Sequence, residues 1–474
     1  MKYNFDISTG PRYESNVEVE YNPIENEFIG LWATNGPLRD DCGPGDMYEC
    51  TNSFKSIDGR RISPDGEILG DPIQLSPPEL GEKHGPRFAH NIFTNQYMLA
   101  MPIAPTALGA DMQMYIAGID SVGNFQYGPK LLYDVGGGFA FLPEVIFNSV
   151  RREYLVVYND YNVFNVYQNN VGFILDENGN PIHGPFPVGN HVGDAWRGAQ
   201  FYASRGTYNP TNDTYLVVWE DFRYATDWLE CDMYGTLLDA DGNMIVESPI
   251  MDDHGTLGIA DQRVPVPCYN PNRNEFLVVW RDFRPSLDNY GIMGRFIGAD
   301  GTLKGPEFVV IDPPGMQGIM ELLYIEEEKK YFANWTDTRN ATEPGLFYFL
   351  SDNADIYAIW LDESGSPIGD EIPICVEPDV QMHAKMDYDP VKKRFLIAWY
   401  DYNAPNDYGA EDEPTGISSD GDIRGTIYGV PQTKNPCLSL KIYGDHSEEV
   451  ELLRYVRDSI LSQTPVGQEI IRLY

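Results

Sequence analysis

The chain has 474 residues, of which 13% are aromatic, with 45 Gly and 35 Pro, a balance that suits short strands joined by turns rather than long helices. Its formal net charge is -39 and its sequence pI about 4.3. A field of that sign repels phosphate backbones and anionic membrane surfaces, which excludes nucleic acid as a partner, and no apolar run approaches the roughly 18 residues of a membrane span.

At the start, Met1 is followed by Lys2-Tyr3-Asn4-Phe5-Asp6, without an apolar signal core. We read this as the mature or engineered end of an exported protein, extracellular, cell-surface or periplasmic. Tyr3–Ile7 has the character of a short outer strand that precedes the first complete unit. That unit enters with the alternating run Asn16-Val-Glu-Val-Glu-Tyr21 and reaches Trp32. The insertion 33–52 follows, where Cys42 and Cys50 flank a Gly/Pro/Asp-rich loop that a disulfide would close.

One pattern then recurs. Its clearest copies are Tyr208-Asn-Pro-Thr-Asn-Asp-Thr-Tyr-Leu-Val-Val-Trp219-Glu-Asp-Phe-Arg223 and Tyr269-Asn-Pro-Asn-Arg-Asn-Glu-Phe-Leu-Val-Val-Trp280-Arg-Asp-Phe-Arg284. Weaker copies begin at Tyr21, Phe93, Phe147, Tyr324 and Tyr388, so seven anchors recur at blade-length spacing. In each unit an Asn/Pro turn leads into an apolar, β-branched second strand. A third strand ends in a Gly hairpin, as at Leu238-Asp-Ala-Asp-Gly242-Asn, and a short fourth strand follows. The seventh unit lacks a fourth strand after 422–428, and the N-terminal strand supplies it. These features predict an all-β, seven-bladed β-propeller over 1–431, closed by its own N-terminus. Residues 432–474 read as a helical tail: Asp445 and Glu448 form a capping pattern, with Val450, Leu453, Val456 and Ile460 at helical spacing.

The YNP…LVVWxDxR units resemble repeats of large bacterial surface and secreted proteins. The tail around Cys437-Leu-Ser and Tyr443-Gly444 is similar to the CFI-box segment of exported proteins. The resemblance implies a propeller and export, and no single activity.

Function is expected in the loops of one face, because the long insertions 33–52, 336–354 and 400–424 all leave the second strand. The residues expected at the channel mouth are His84, Arg87, His90, His191, Asp194, Trp196, Arg197, His254, Arg263 and His383, a set suited to an anionic group or, through the Trp, to a sugar. The acidic insertion, with Asp401, Asp407, Glu411, Asp412, Glu413, Asp420 and Asp422, is the calcium candidate. The Asp-x-Asp-Gly-Asn run at 239–243 reads as a turn. The Asp of each Asp-x-Arg pair (Asp221/Arg223, Asp282/Arg284, Asp337/Arg339) reads as structural, bonding between blades. With no nucleophile elbow, phosphate loop or dinucleotide fingerprint, the sequence favours a non-enzymatic binding or assembly module. Its ligand would be a protein or polysaccharide at the cell surface, and it would serve within a larger extracellular assembly. The alternative is a polysaccharide-acting hydrolase or lyase with its site at the channel mouth.

Overall fold

The computed structural model describes residues 4–8, 14–35, 54–75, 82–83, 85–104, 112–133, 140–160, 169–190, 200–223, 231–251, 261–283, 290–342, 351–402 and 421–429. They form seven antiparallel sheets, the blades of a β-propeller. The innermost strands of blades 1 to 7 are Glu14–Asn22, Arg87–Asn91, Phe141–Asn148, Gln200–Asn209, Asp261–Asn270, Gln317–Ile325 and Val380–Asp389. In blade 2 a two-residue strand, Glu82–Lys83, extends the inner edge along the same neighbour. Blade 7 takes its fourth strand from the N-terminus: Phe5–Ser8 pairs antiparallel with Gly421–Gly429, Phe5 opposite Gly425 and Asp6 opposite Arg424. The expected closure is therefore present. The helical tail and the Cys42–Cys50 bridge lie outside the described residues; the buried Cys231, Cys268 and Cys375 form no disulfide.

Each anchor packs on an aromatic across the first hairpin, with ring centroids 4.7–5.4 Å apart in all seven blades. In blade 2 the anchor is His90, opposite Tyr97, and not Phe93 as the sequence pattern suggested. Phe93 is three residues further on, exposed in the turn. The polar cue that fixes the register is Asn91, the counterpart of Asn22, Asn148, Asn209 and Asn270. The side-chain oxygen of each accepts turn backbone N–H groups: Asn22 from Ile24 and Glu25, Asn91 from Phe93 and Thr94, Asn148 from Val150 and Arg151. Five residues after the anchor the backbone turns left-handed in every blade, at Asn26, Asn95, Arg152, Asp213, Asn274, Lys329 and Lys393 (φ 47° to 59°).

The same Asn residues join the blades. Asn22 Nδ2 donates to Asn95 (2.8 Å) and to the Tyr97 hydroxyl (2.9 Å) of blade 2. Asn148 reaches Asp213 and Tyr215 of blade 4, and Asn270 reaches Tyr331 of blade 6. The Asp of the Trp-x-Asp-x-Arg run works otherwise, which corrects the expectation that it bonds between blades. Asp221 accepts from Trp219 Nε1 (2.8 Å) and from Arg223, and Arg223 continues to Glu247, all within blade 4. Blade 6 repeats this with Trp335, Asp337, Arg339 and Glu371. The carboxylate satisfies a fully buried indole N–H that would otherwise lose its hydrogen bond on burial.

The Gly hairpins close the same end of each blade as the Asn turns. Asp239 Oδ1 accepts the N–H of Asp241 and Asn243, and Oδ2 accepts from Asn243 Nδ2. Asp120, Asp176 and Asp362 make the same backbone bonds. The second-to-third strand connections leave from the opposite end, at Asn35/Phe54, Asp337/Asp355 and Tyr402/Gly421, so the three long insertions depart from one face.

Candidate functional site

The inner strands bring charged side chains together inside the channel. Three residues before the anchor, blades 1 to 7 carry Glu18, Arg87, Glu144, Arg205, Val266, Glu321 and Lys385. These six ionic groups close a belt. Arg87 contacts Glu18 and lies 3.8 Å from Glu144, and Arg205 lies 4.0 Å from Glu144 and 3.2 Å from Glu321. Lys385 contacts Glu321 and sits 3.5 Å from Glu18. The signs alternate around the ring. A ring of seven cannot alternate throughout, and the neutral residue is Val266, past which Arg205 of blade 4 reaches Glu321 of blade 6. Opposite neighbours offset the cost of holding charge in a partly desolvated channel.

The electrostatics follow from this crowding. Burial, then the neighbouring Arg205, lowers the Arg87 guanidinium to about 10, despite Glu144 and Glu321. Burial opposes ionisation of Glu321, but Lys385, Arg205 and Arg87 hold its carboxyl below the usual range. Two residues before the belt position, where the inner strands of blades 1, 3, 5 and 7 bulge, Asn16, Leu142, Val264 and His383 have left-handed backbone. His383 stacks on Tyr400 at 5.0 Å, and burial, then Lys385, Arg205 and Arg87, drive its imidazole down to about 3. It is therefore a neutral ring beside the belt.

One residue before the anchor, a side chain reaches the inner edge of the next blade. Glu20 accepts the His90 N–H (2.8 Å), Asp387 the Tyr21 N–H (2.6 Å), and the Cys268 sulfur the Tyr324 N–H. These bonds satisfy edge donors that the channel would leave unpaired. Burial raises both carboxyls, Asp387 to about 6 and Glu20 well above its ordinary range.

Of the residues expected at the mouth, Arg87 is in the belt and His383 just above it. Arg263, in blade 5, pairs with Glu220 of blade 4 at 3.4 Å, and its guanidinium lies 5.6 Å from the Phe222 ring centre. His90 is the blade 2 anchor, with Nε2 3.1 Å from Asn95 Oδ1, at the turn end of its strand. His84, His191, Asp194, Trp196, Arg197 and His254 lie outside the described residues. In the acidic insertion, Asp401 accepts from Arg424 at 2.7 Å, and Asp422 lies near Glu14 at the seam between blades 7 and 1. Asp407, Glu411, Asp412, Glu413 and Asp420 fall outside. Among the described residues no group of three or more His, Cys, Asp or Glu is arranged to hold a metal ion. Sequence reasoning missed Glu18, Glu144, Arg205, Glu321 and Lys385. The signal was a charged residue at one fixed offset from the anchor in six of the seven inner strands, obscured by other polar residues on those strands and hidden in blade 2 by the misplaced anchor.

Fold and belt together define a seven-bladed β-propeller whose channel is crossed by paired charges. No family model matches the chain, and no curated protein matches it. Among solved structures it is similar to a protein of unknown function from Dyadobacter fermentans, at 12% identity over 90% of this chain and 97% of that one, with a TM-score of 0.49. It is also similar to an α-L-arabinofuranosidase of Fusarium graminearum (9% identity, 73% and 92% covered, TM-score 0.44) and an α-L-arabinanase of Penicillium chrysogenum (9%, 72% and 92%, 0.42). At such identities and scores these likenesses assign no role to any residue here.

Proposed function

We propose that this protein is a non-enzymatic binding module of an extracellular or cell-surface assembly, taking a protein or glycan ligand on the face from which the long insertions leave. The observation that supports this reading is the belt: its three carboxylates and three cations lie within 4.0 Å of one another around the channel, a charge network that braces neighbouring blades rather than an open pair of acids facing a substrate. The belt then serves as the floor of a one-sided site. The acidic insertion, through Asp407, Glu411, Asp412, Glu413 and Asp420, is where calcium would be held in such a module.

Tyr402 and Gly421 end and begin neighbouring antiparallel strands. A short Gly-Ser turn in place of 403–420 should therefore preserve the blade. On a glycan array and in pull-downs from surface extracts, the whole chain is expected to bind without turnover, and the shortened variant to lose at least about tenfold in affinity. Release of reducing or unsaturated ends from a polysaccharide would instead establish the hydrolase or lyase alternative and overturn this reading.

A further inference from the structure

At the end from which the insertions leave, the blades carry acids in a row across their strands, and in blade 1 that row lacks the cation it has elsewhere. In blade 6, Asp337 stands opposite Asp355 on the neighbouring strand, and the Arg339 guanidinium holds Asp337. In blade 4, Asp221 stands opposite Asp232, with Arg223 on Asp221. In blade 7, Arg424 holds Asp401. Blade 1 has Glu14, Thr34 and Ser56 here, opposite one another on three adjacent strands, with Asp58 two residues on. Its version of the Trp-x-Asp-x-Arg run is Trp32-Ala-Thr34-Asn-Gly36, so the guanidinium is missing from the sequence. Strand alternation turns these side chains toward blade 7, where Trp32 packs with Leu396, Ala398 and Ile423. Among the described residues no Lys or Arg pairs with Glu14 or Asp58. The strongest charges acting on Glu14, those of Asp422 and Asp58, are both negative.

The row also leaves oxygens without partners. Thr34 is 2% exposed and its hydroxyl has no hydrogen-bond partner; Glu14 is 4% exposed and its Oε2 has none. Burial without a partner is costly for both groups, and a ligand that accepts their lone pairs removes the cost. Ser8 Oγ, from the strand that closes the ring, donates to Glu14 Oε1 at 2.6 Å, and Ser56 Oγ donates to Asp58 at 3.0 Å. Each hydroxyl gives its proton to a carboxylate and keeps its lone pairs. Two carboxylates and three hydroxyls make a hard, all-oxygen donor set. Only two of the five are acids, which is why no cluster of three His, Cys, Asp or Glu marks the place. Calcium accepts such oxygens in irregular geometry, with water completing its shell, whereas magnesium demands a near-ideal octahedron. We propose that the seam between blades 7 and 1 binds a calcium ion through Glu14, Thr34, Ser56 and Asp58, with Ser8 as a further ligand from the closing strand. The ion takes the place of the guanidinium in blades 4, 6 and 7 and staples the N-terminal strand to blade 1. It needs no residue of the acidic insertion.

The test uses the whole chain, stripped with EDTA and held at pH 8, titrated with calcium chloride in a calorimeter and melted with and without millimolar calcium. Calcium is expected to bind and to raise the melting temperature. Thr34→Val keeps the shape of a buried residue and removes a hydroxyl that bonds nothing, so without metal it should fold at least as stably as the wild type. Glu14→Gln keeps an oxygen and removes the charge. Each substitution is expected to weaken calcium binding at least about tenfold. The chain with a Gly-Ser turn in place of 403–420 is expected to keep this binding, which separates the seam from any calcium held by the insertion. The proposal is overturned if calcium leaves the melting temperature of the whole chain unchanged, or raises it equally in both substituted chains. Loss of all calcium binding on shortening the insertion, with the fold retained, overturns it as well.

Discussion

Glu14 is 4% exposed at the seam between blades 7 and 1, where Ser8 Oγ donates to it at 2.6 Å. Burial, reinforced by Asp422 and Asp58, raises its carboxyl from 4.5 to about 7. The folded state thus keeps a proton that the unfolded chain releases near 4.5, and Glu14 removes stability as pH rises from 4.5 through 7. Glu14→Gln should therefore stabilise the protein at pH 8, by on the order of 2–3 kcal/mol, and change little at pH 4.5; thermal melts at both pH values measure this. His383 acts with the opposite slope. Its folded value lies below the unfolded 6.5, so its contribution is complete above 6.5 and is lost as pH falls toward 3; buried His90 acts in the same direction. Below 4.5 Glu321, whose folded value is depressed, adds to the loss. His383→Asn, a side chain suited to the left-handed backbone at that position, should flatten the melting temperature between pH 6.5 and 4.5. A slope as steep as the wild type's would refute the assignment. Neither shift was legible in the sequence, because each arises from neighbours brought in by other blades.

The turn after each inner strand was legible as an element, and its chemistry only in part. Asn and Pro announced it, but nothing in one copy shows that the Asn both caps its own turn and bonds the next blade. Asn270→Ala removes the acceptor for the Arg273 N–H and the donor to the buried Tyr331 hydroxyl. The expected loss is about 1–3 kcal/mol in denaturant unfolding. The left-handed position five residues after the anchor is Asn or Asp in four blades, which tolerate it, and Arg152, Lys329 or Lys393 in three, which do so at a cost. Lys329 is exposed, so Lys329→Gly should raise stability by about 0.5–1 kcal/mol. A decrease would mean that the side chain has a partner outside the turn. The blade 2 anchor was misread because an aromatic was expected there and Phe93 was the nearest; His90 fills the place by packing its imidazole, tilted, against Tyr97.

At the scale of the molecule, the sheet number and the closing strand were readable because both are written as repetition and its defects. The belt was not, since its meaning lies in blades side by side rather than along the chain. Removing one member leaves opposite charges without their partner. Lys385→Met, which leaves Glu321 with Arg205 alone and Glu18 with Arg87 alone, should cost about 3 kcal/mol, whereas replacing Lys385 and Glu321 together by Met should cost less than the two single changes combined. Additive losses in a double-mutant cycle would show that the belt is not one network.

The strand Phe5–Ser8 is made first and finds its partner, Gly421–Gly429, only after every other blade has been synthesised. Folding therefore proceeds through an arc that ends in an unpaired sheet edge, open to mispairing until the last blade arrives. A chain stopped short of residue 421 keeps that edge for its lifetime, so losing this one strand leaves two rows of pairing unfinished at the seam.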